Sequence, residues 1–205
     1  MPDTQRVGIT GVILAGGRGT RMGGVEKGLL DWLGRPLIAR LIEDLAPQVE
    51  RLLINANRAH ERYAAFGLPL VADDPRHAGL GPLAGVHAAL TAVETGRVVC
   101  VPCDLPGLPE DLVSRLVAAS TGQGAPLVMA ATGARLHPTV CLVDASFRSS
   151  LQDSLQRGEH AAWRWFAAHR VRLVDFGESG PLARNLNTPG DLAALGMPAG
   201  RTRSG

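Results

Sequence analysis

The chain has 205 residues, is 45% apolar and 20% charged, and carries a formal net charge of +2 at pH 7. That length suits one domain with a full core, and the balance is ordinary for a soluble globular protein. No basic block exceeds two residues, which argues against a general nucleic-acid face, and no apolar run approaches the roughly 18 residues of a membrane span. Met1-Pro-Asp-Thr-Gln-Arg6 lacks the cationic and apolar regions of a signal peptide, so a cytoplasmic protein is expected.

Val7 to Leu14 is short, apolar and β-branched and reads as a buried strand. A glycine-rich stretch follows, with Gly16, Gly17, Gly19, Gly23 and Gly24, and with Arg18, Arg21 and Lys27 among or just after them. Glycine lets a ligand approach main-chain N–H groups, and successive N–H groups in such a turn form an anion-binding concavity. The added cations suit a polyphosphate. Two well-known loops fail the test. Lys27 is followed by Gly28 rather than Ser or Thr, so this is no Walker A loop. A dinucleotide fingerprint starting at Gly17 meets Met22 where its last glycine belongs.

Gly28 to Pro36 is a connection with room for a short strand. Leu37, Ile38, Leu41, Ile42 and Leu45 recur at helical spacing, and Pro47 ends that helix. Strands are expected at Arg51–Ala56, with Asn55 and Asn57 at its end, and at Leu68–Asp73, with a short helix over Ala59–Phe66 between them. Gly79-Leu-Gly-Pro-Leu-Ala-Gly85 reads as a glycine loop opening a helix that runs to Val93. It is either an anion-binding helix start or an ordinary loop with proline in the first turn.

A fourth strand runs from Arg97 to Asp104 and a helix from Leu108 to Ala119. Further strands are expected at Pro126–Ala131, His137–Val143 and Val171–Phe176, with an amphipathic helix over Ser146–Arg157. The Trp163, Trp165 and Phe166 cluster reads as core or subunit contact rather than a cofactor box. Cys100 and Cys103, three apart on a strand, point to opposite faces, and with Cys141 they read as buried thiols rather than a redox pair or zinc site. Thr188, Pro189 and Asp191 signal one more helix start. A single domain is expected over 1–196, with a disordered tail over 197–205.

Strands alternating with helices predict an α/β fold with a mostly parallel central sheet. Ligands of such folds bind beyond the carboxyl ends of the strands, where the glycine loop, Asn55, Asp73 and Asp104 are all expected. Asp104 ends an apolar strand. It suits magnesium, which keeps waters and substrate phosphates as its other ligands, or else it is a capping aspartate before Pro106. These parts fit nucleotidyl transfer, with Arg21 and Lys27 stabilising charge on a triphosphate. A phosphate monoester acceptor is already ionised at neutral pH and needs no general base.

At this point the chain resembles the molybdenum cofactor guanylyltransferases. The matching pieces are Leu14-Ala-Gly-Gly17, Arg21-Met-Gly-Gly-Val-Glu-Lys-Gly-Leu-Leu30, Gly34-Arg-Pro-Leu37, Ile54-Asn-Ala-Asn-Arg58, Gly81-Pro-Leu-Ala-Gly85, Pro102-Cys-Asp104 and Asn185-Leu-Asn-Thr-Pro189. The resemblance implies a Rossmann-like three-layer sandwich and Mg²⁺-dependent transfer of GMP from GTP to molybdopterin, with pyrophosphate released. By position it implies a GTP site of Leu14, Ala15, Gly16, Gly17, Lys27, Asn55, Asp73 and Asp104, with Asp104 also holding the metal. Asn185 and Asn187 fall on the pterin side, and molybdoenzyme maturation proteins are implied partners. Three other readings compete: a cytidylyltransferase on the same cofactor, a non-catalytic delivery chaperone, and a sugar-1-phosphate nucleotidyltransferase.

Overall fold

Ile9–Leu14 alternates its apolar side chains so that both faces of the strand are buried, and this strand, β1, is the middle of everything else. The computed structural model describes residues 8–17, 26–93, 96–121, 127–159 and 161–184. After β1 come a two-stranded hairpin, β2 (Asp31–Trp32) and β3 (Arg35–Pro36), then helix α1 (Leu37–Leu45) and strand β4 (Arg51–Asn55). Helix α2 (His60–Ala64), strand β5 (Leu70–Val71), helix α3 (Pro82–Ala92), strand β6 (Arg97–Pro102) and helix α4 (Leu112–Ser120) follow. Strands β7 (Leu127–Thr132) and β8 (Arg135–Asp144), helices α5 (Arg148–Gln156) and α6 (Ala162–Ala167), and strand β9 (Arg172–Asp175) complete the described fold.

The main sheet has seven strands in the order β5-β4-β1-β6-β8-β7-β9. β5, β4, β1 and β6 pair in parallel, β8 runs against both its neighbours, and β9 pairs in parallel with β7. The expected α/β sandwich with a mostly parallel sheet is therefore what the chain forms. Ile9 and Ile13 face a core with Ile38, Leu41 and Leu45 of α1 and Leu112 and Leu116 of α4. Val12 and Leu14 face the other core, with Leu83, Val86 and Leu90 of α3, Leu151 and Leu155 of α5, and Trp165 and Phe166 of α6. The aromatic cluster is thus divided: Trp165 and Phe166 are core, while Trp163 is exposed. Gly11 lets α1 lie close on β1, since a Cβ there would stand 3.0–3.2 Å from Leu52, Leu45 and Val49.

Several elements are shorter than their sequence pattern suggests, and for two of them the structure shows why. The strand expected over Leu68–Asp73 is only Leu70–Val71, because it sits at the sheet edge and Pro69 has no N–H to give a ladder. The helix expected from Leu108 starts at Leu112. Before it, the chain is held by side chains of the α1 region: Asp44 accepts from the Leu108 amide at 2.8 Å and Gln48 from the Val113 amide at 3.0 Å. Buried Gln48 also donates to the Pro109 carbonyl. The helix start expected at Thr188 and the tail from Met197 lie outside the described residues. No helix among the described residues is long and apolar enough to cross a membrane.

All three cysteines are free thiols. Cys100 and Cys141 are buried and stand opposite each other across β6 and β8. A hydrogen bond with Cys141, reinforced by burial, raises the Cys100 thiol well above its ordinary range. Cys103 lies just past β6, packs against the opposite core, and is pushed up to about 12 by burial and the nearby Asp104 carboxylate. Only a thiolate attacks a disulfide reagent, so at pH 8 the folded protein should show no rapidly reacting thiol toward a chromogenic disulfide, and three after denaturation. Truncating the wholly buried Leu41 to Ala should lower unfolding free energy by about 2–5 kcal/mol, read from urea midpoints.

Candidate active site

Because β5, β4, β1 and β6 run the same way, their carboxyl ends deliver four segments to one edge. There a cleft of about 480 Å³ is lined by Leu14, Gly16 and Gly17 after β1, Asn55 of β4, Asp73 after β5, and Pro102 and Asp104 at the end of β6. The α3 side supplies Gly79, Gly81, Pro82 and Gly85, and β8 supplies Thr139. Of the two readings of the glycine loop before α3, the structure places that helix start on the cleft. Gly81 takes φ +91 to enter the helix, Pro82 opens it, and no side chain caps it. First-turn N–H groups at such an end favour an anion.

The floor is a hydrogen-bonded carboxylate. Asp73 is buried and accepts from Asn55 Nδ2 at 2.9 Å and from Asn57 Nδ2 at 2.7 Å. Asn57 Oδ1 in turn accepts from the Asp73 amide at 2.8 Å. Asn57 Nδ2 also donates to the Gly16 carbonyl at 3.0 Å, so one side chain fixes both the glycine turn and the aspartate. The Ala15 amide donates to the Asn55 carbonyl at 2.8 Å, while the Ala15 side chain is buried in the core. Space here is tight. A Cβ on Gly85 would stand 2.5 Å from Asn55 Oδ1, and one on Gly16 2.7 Å from Asn57 Nδ2.

The lip is an ion pair. Lys27, in a single 3₁₀ turn over Lys27–Leu29, places Nζ 3.1 Å from Asp104 Oδ2. Asp104 is set in place by the residue before it, whose amide donates to the Leu14 carbonyl at 3.1 Å. Asp104 Oδ1 is buried and has no hydrogen-bond partner among the described residues. An unpaired buried acceptor is costly and asks for a ligand. Among the described residues no three His, Cys, Asp or Glu side chains form a metal cluster. Magnesium is the hard cation that suits a single carboxylate, since it usually keeps several waters and substrate phosphates as its other ligands. His137, close by on β8, hydrogen-bonds Thr132 at 2.8 Å, and burial lowers its pKa; it reads as a satisfied core histidine.

Of the residues singled out from sequence, Leu14, Gly16, Gly17, Asn55, Asp73 and Asp104 meet at the cleft. Lys27 joins them through Asp104, and Ala15 can take part through its main chain alone. Arg21, Asn185 and Asn187 lie outside the described residues. Sequence reasoning passed over Asn57 as a site residue, although its spacing of two from Asn55 was the available signal. Thr139 had no signal: it reaches this edge because β8 runs backwards.

Comparison with known proteins identifies the family. The family model of the MobA-like NTP transferase domain matches residues 11–173. A molybdenum cofactor guanylyltransferase of Shewanella pealeana is 41% identical over 188 residues, covering 92% of this chain and 94% of that protein. One from Shewanella sp. strain MR-4 is 43% identical over 182 residues, covering 88% and 91%. Among solved structures, molybdopterin-guanine dinucleotide biosynthesis protein A from Archaeoglobus fulgidus superposes with a TM-score of 0.76 at 22% identity, over 90% of this chain and 95% of that one. A CMP:2-keto-3-deoxy-manno-octonic acid synthetase complexed with CTP shares the fold at a TM-score of 0.68 and 15% identity, over 91% and 95%. The chain belongs to the MobA-like NTP transferase family and is a nucleotidyltransferase.

Proposed function

We propose that this cleft transfers GMP from GTP to the terminal phosphate of molybdopterin, releasing pyrophosphate. The observation that carries the reading is the Lys27–Asp104 pair, which sets a cation and a carboxylate with an unpaired oxygen at the lip of a glycine-lined cleft. The identity of the curated relatives supports guanine over other bases.

The chemistry follows from charge. An acceptor phosphate oxygen attacks the α-phosphorus, a new P–O bond forms, and the α–β bridging bond breaks to give pyrophosphate. The acceptor is already ionised, so no side chain has to remove a proton. Positioning and charge stabilisation supply the rate. The turn at Gly16 and Gly17 offers main-chain N–H groups to the phosphates, and the α3 terminus adds partial positive charge. Lys27 neutralises charge building on the triphosphate, and Arg21, a second cation of the glycine-rich stretch, is given the same role. The lone pairs that Asp73 keeps beyond its two amide donors suit donors such as the guanine N–H groups. Asp104 Oδ1 would hold a magnesium ion, which when bound orients the triphosphate and offsets its charge. Asn185 and Asn187 are given the pterin side, on their resemblance to residues placed there in the family. The product would then pass to molybdoenzyme maturation proteins in the cytoplasm.

The direct test is pyrophosphate release with molybdopterin acceptor, Mg²⁺ and each nucleotide. GTP should support turnover and CTP should not compete for it. Turnover with CTP alone would favour the cytidylyltransferase. Asp104→Asn should cost about a hundredfold or more in kcat, with an unchanged unfolding midpoint. Cofactor delivery by that variant without loss would favour the chaperone. Gly85→Ala should weaken GTP binding by about tenfold or more through displacement of Asn55. The same change should also lower the unfolding midpoint, because moving buried Asn55 breaks its hydrogen bonds to Asp73 and the Val71 carbonyl, a loss larger than the about 0.5–1 kcal/mol that alanine adds to the helix.

A further inference from the structure

The Asn-Ala-Asn-Arg segment ends in Arg58, which lines no part of the cleft and has no role in the chemistry above. Its guanidinium nevertheless touches both flanks of the glycine-rich stretch. Arg58 Nη2 donates to the Gly17 carbonyl at 3.3 Å and lies 2.9 Å from Glu26 Oε1. Gly17 belongs to the first part of the stretch and Glu26 follows its end, so one cation joins these two described positions. Glu26 is braced from behind, since its other oxygen accepts from the Tyr63 hydroxyl at 3.2 Å. Tyr63 is wholly buried, and burial raises its pKa far above the ordinary range, so the hydroxyl remains a donor. That hydroxyl also abuts the turn carrying Lys27, where a Cβ on Gly28 would stand 3.1 Å from it.

The consequence falls on Lys27. Glu26 is held by Arg58 and Tyr63 while the next residue pairs with Asp104. Adjacent residues each tied by their side chains to a different segment leave the backbone between them little freedom. We propose that Arg58 is a positioning residue for nucleotidyl transfer: by joining Gly17 to the Tyr63-braced Glu26, it sets where Lys27 stands. The backbone adds support, because Ala59 takes φ +50, a left-handed conformation that alanine rarely adopts, directly after Arg58. Asn57 holds Gly16 through the neighbouring position, so the two residues grip the turn side by side.

This inference rests on the role given to Lys27 above, and a double-mutant cycle separates the two. Full-length wild type, Arg58→Ala, Lys27→Ala and the double variant would be assayed for kcat and KM with GTP, Mg²⁺ and molybdopterin acceptor. Arg58 is half-exposed, so its removal should barely move the unfolding midpoint. Arg58→Ala should lower kcat about tenfold, with KM for GTP changed less than about twofold, because Lys27 acts on charge that builds in the transition state. In the Lys27→Ala background the same substitution should change kcat by less than about twofold. A full-sized loss in both backgrounds, a loss confined to KM, or no loss at all overturns the positioning role. Unimpaired kcat in Lys27→Ala overturns instead the reading of Lys27 itself.

Discussion

One ion pair organises the functional end of this molecule. Lys27 Nζ and Asp104 Oδ2 lie 3.1 Å apart, joined from segments 77 residues apart in sequence. Both are partners that a magnesium triphosphate would claim, the lysine by phosphate oxygens and the aspartate by metal. On the proposed reading the pair would act as a placeholder, holding two opposite charges at the cleft. Its position depends on the fold at both ends. Beside Asp104 the amide of Cys103 donates to the Leu14 carbonyl, and Lys27 comes directly after Glu26, which pairs with Arg58.

Everything beneath that pair serves to keep the strand ends level. β1 carries alternating apolar residues to both cores, so its carboxyl end is fixed from two sides. The parallel neighbours then place Asn55, Asp73 and Asp104 in one row around the glycine turn. Small residues make the row possible. Gly16 and Gly85 leave room for the amide side chains of Asn57 and Asn55, which in turn hold Asp73. A buried carboxylate without such donors would carry a large desolvation cost, so the asparagines stabilise the charge as well as aiming it.

The sheet was legible in the sequence wherever apolar runs were long and bounded by turn residues. Ile9–Leu14, Arg51–Asn55 and Arg97–Pro102 show this. Edges and ends were less so. Leu68–Asp73 has the composition of a strand, but only two of its residues find a partner at the sheet margin. The start of α4 depends on Asp44 and Gln48, more than sixty residues away, and no local pattern encodes that. The site was legible as a set of strand-end polar residues and a glycine loop. Its second layer was hidden: Asn57, Arg58, Glu26 and Tyr63 act through distances that spacing does not reveal, and Thr139 arrives only because β8 is reversed.

The most direct test of the account is a crystal structure of the protein with GTP and Mn²⁺ as an anomalously scattering stand-in for magnesium. The account predicts the ion coordinated by Asp104 Oδ1 and by a phosphate oxygen of GTP, with Lys27 hydrogen-bonded to the same triphosphate. A triphosphate lying away from the Gly16–Gly17 turn, or an ion that does not touch Asp104, would contradict it.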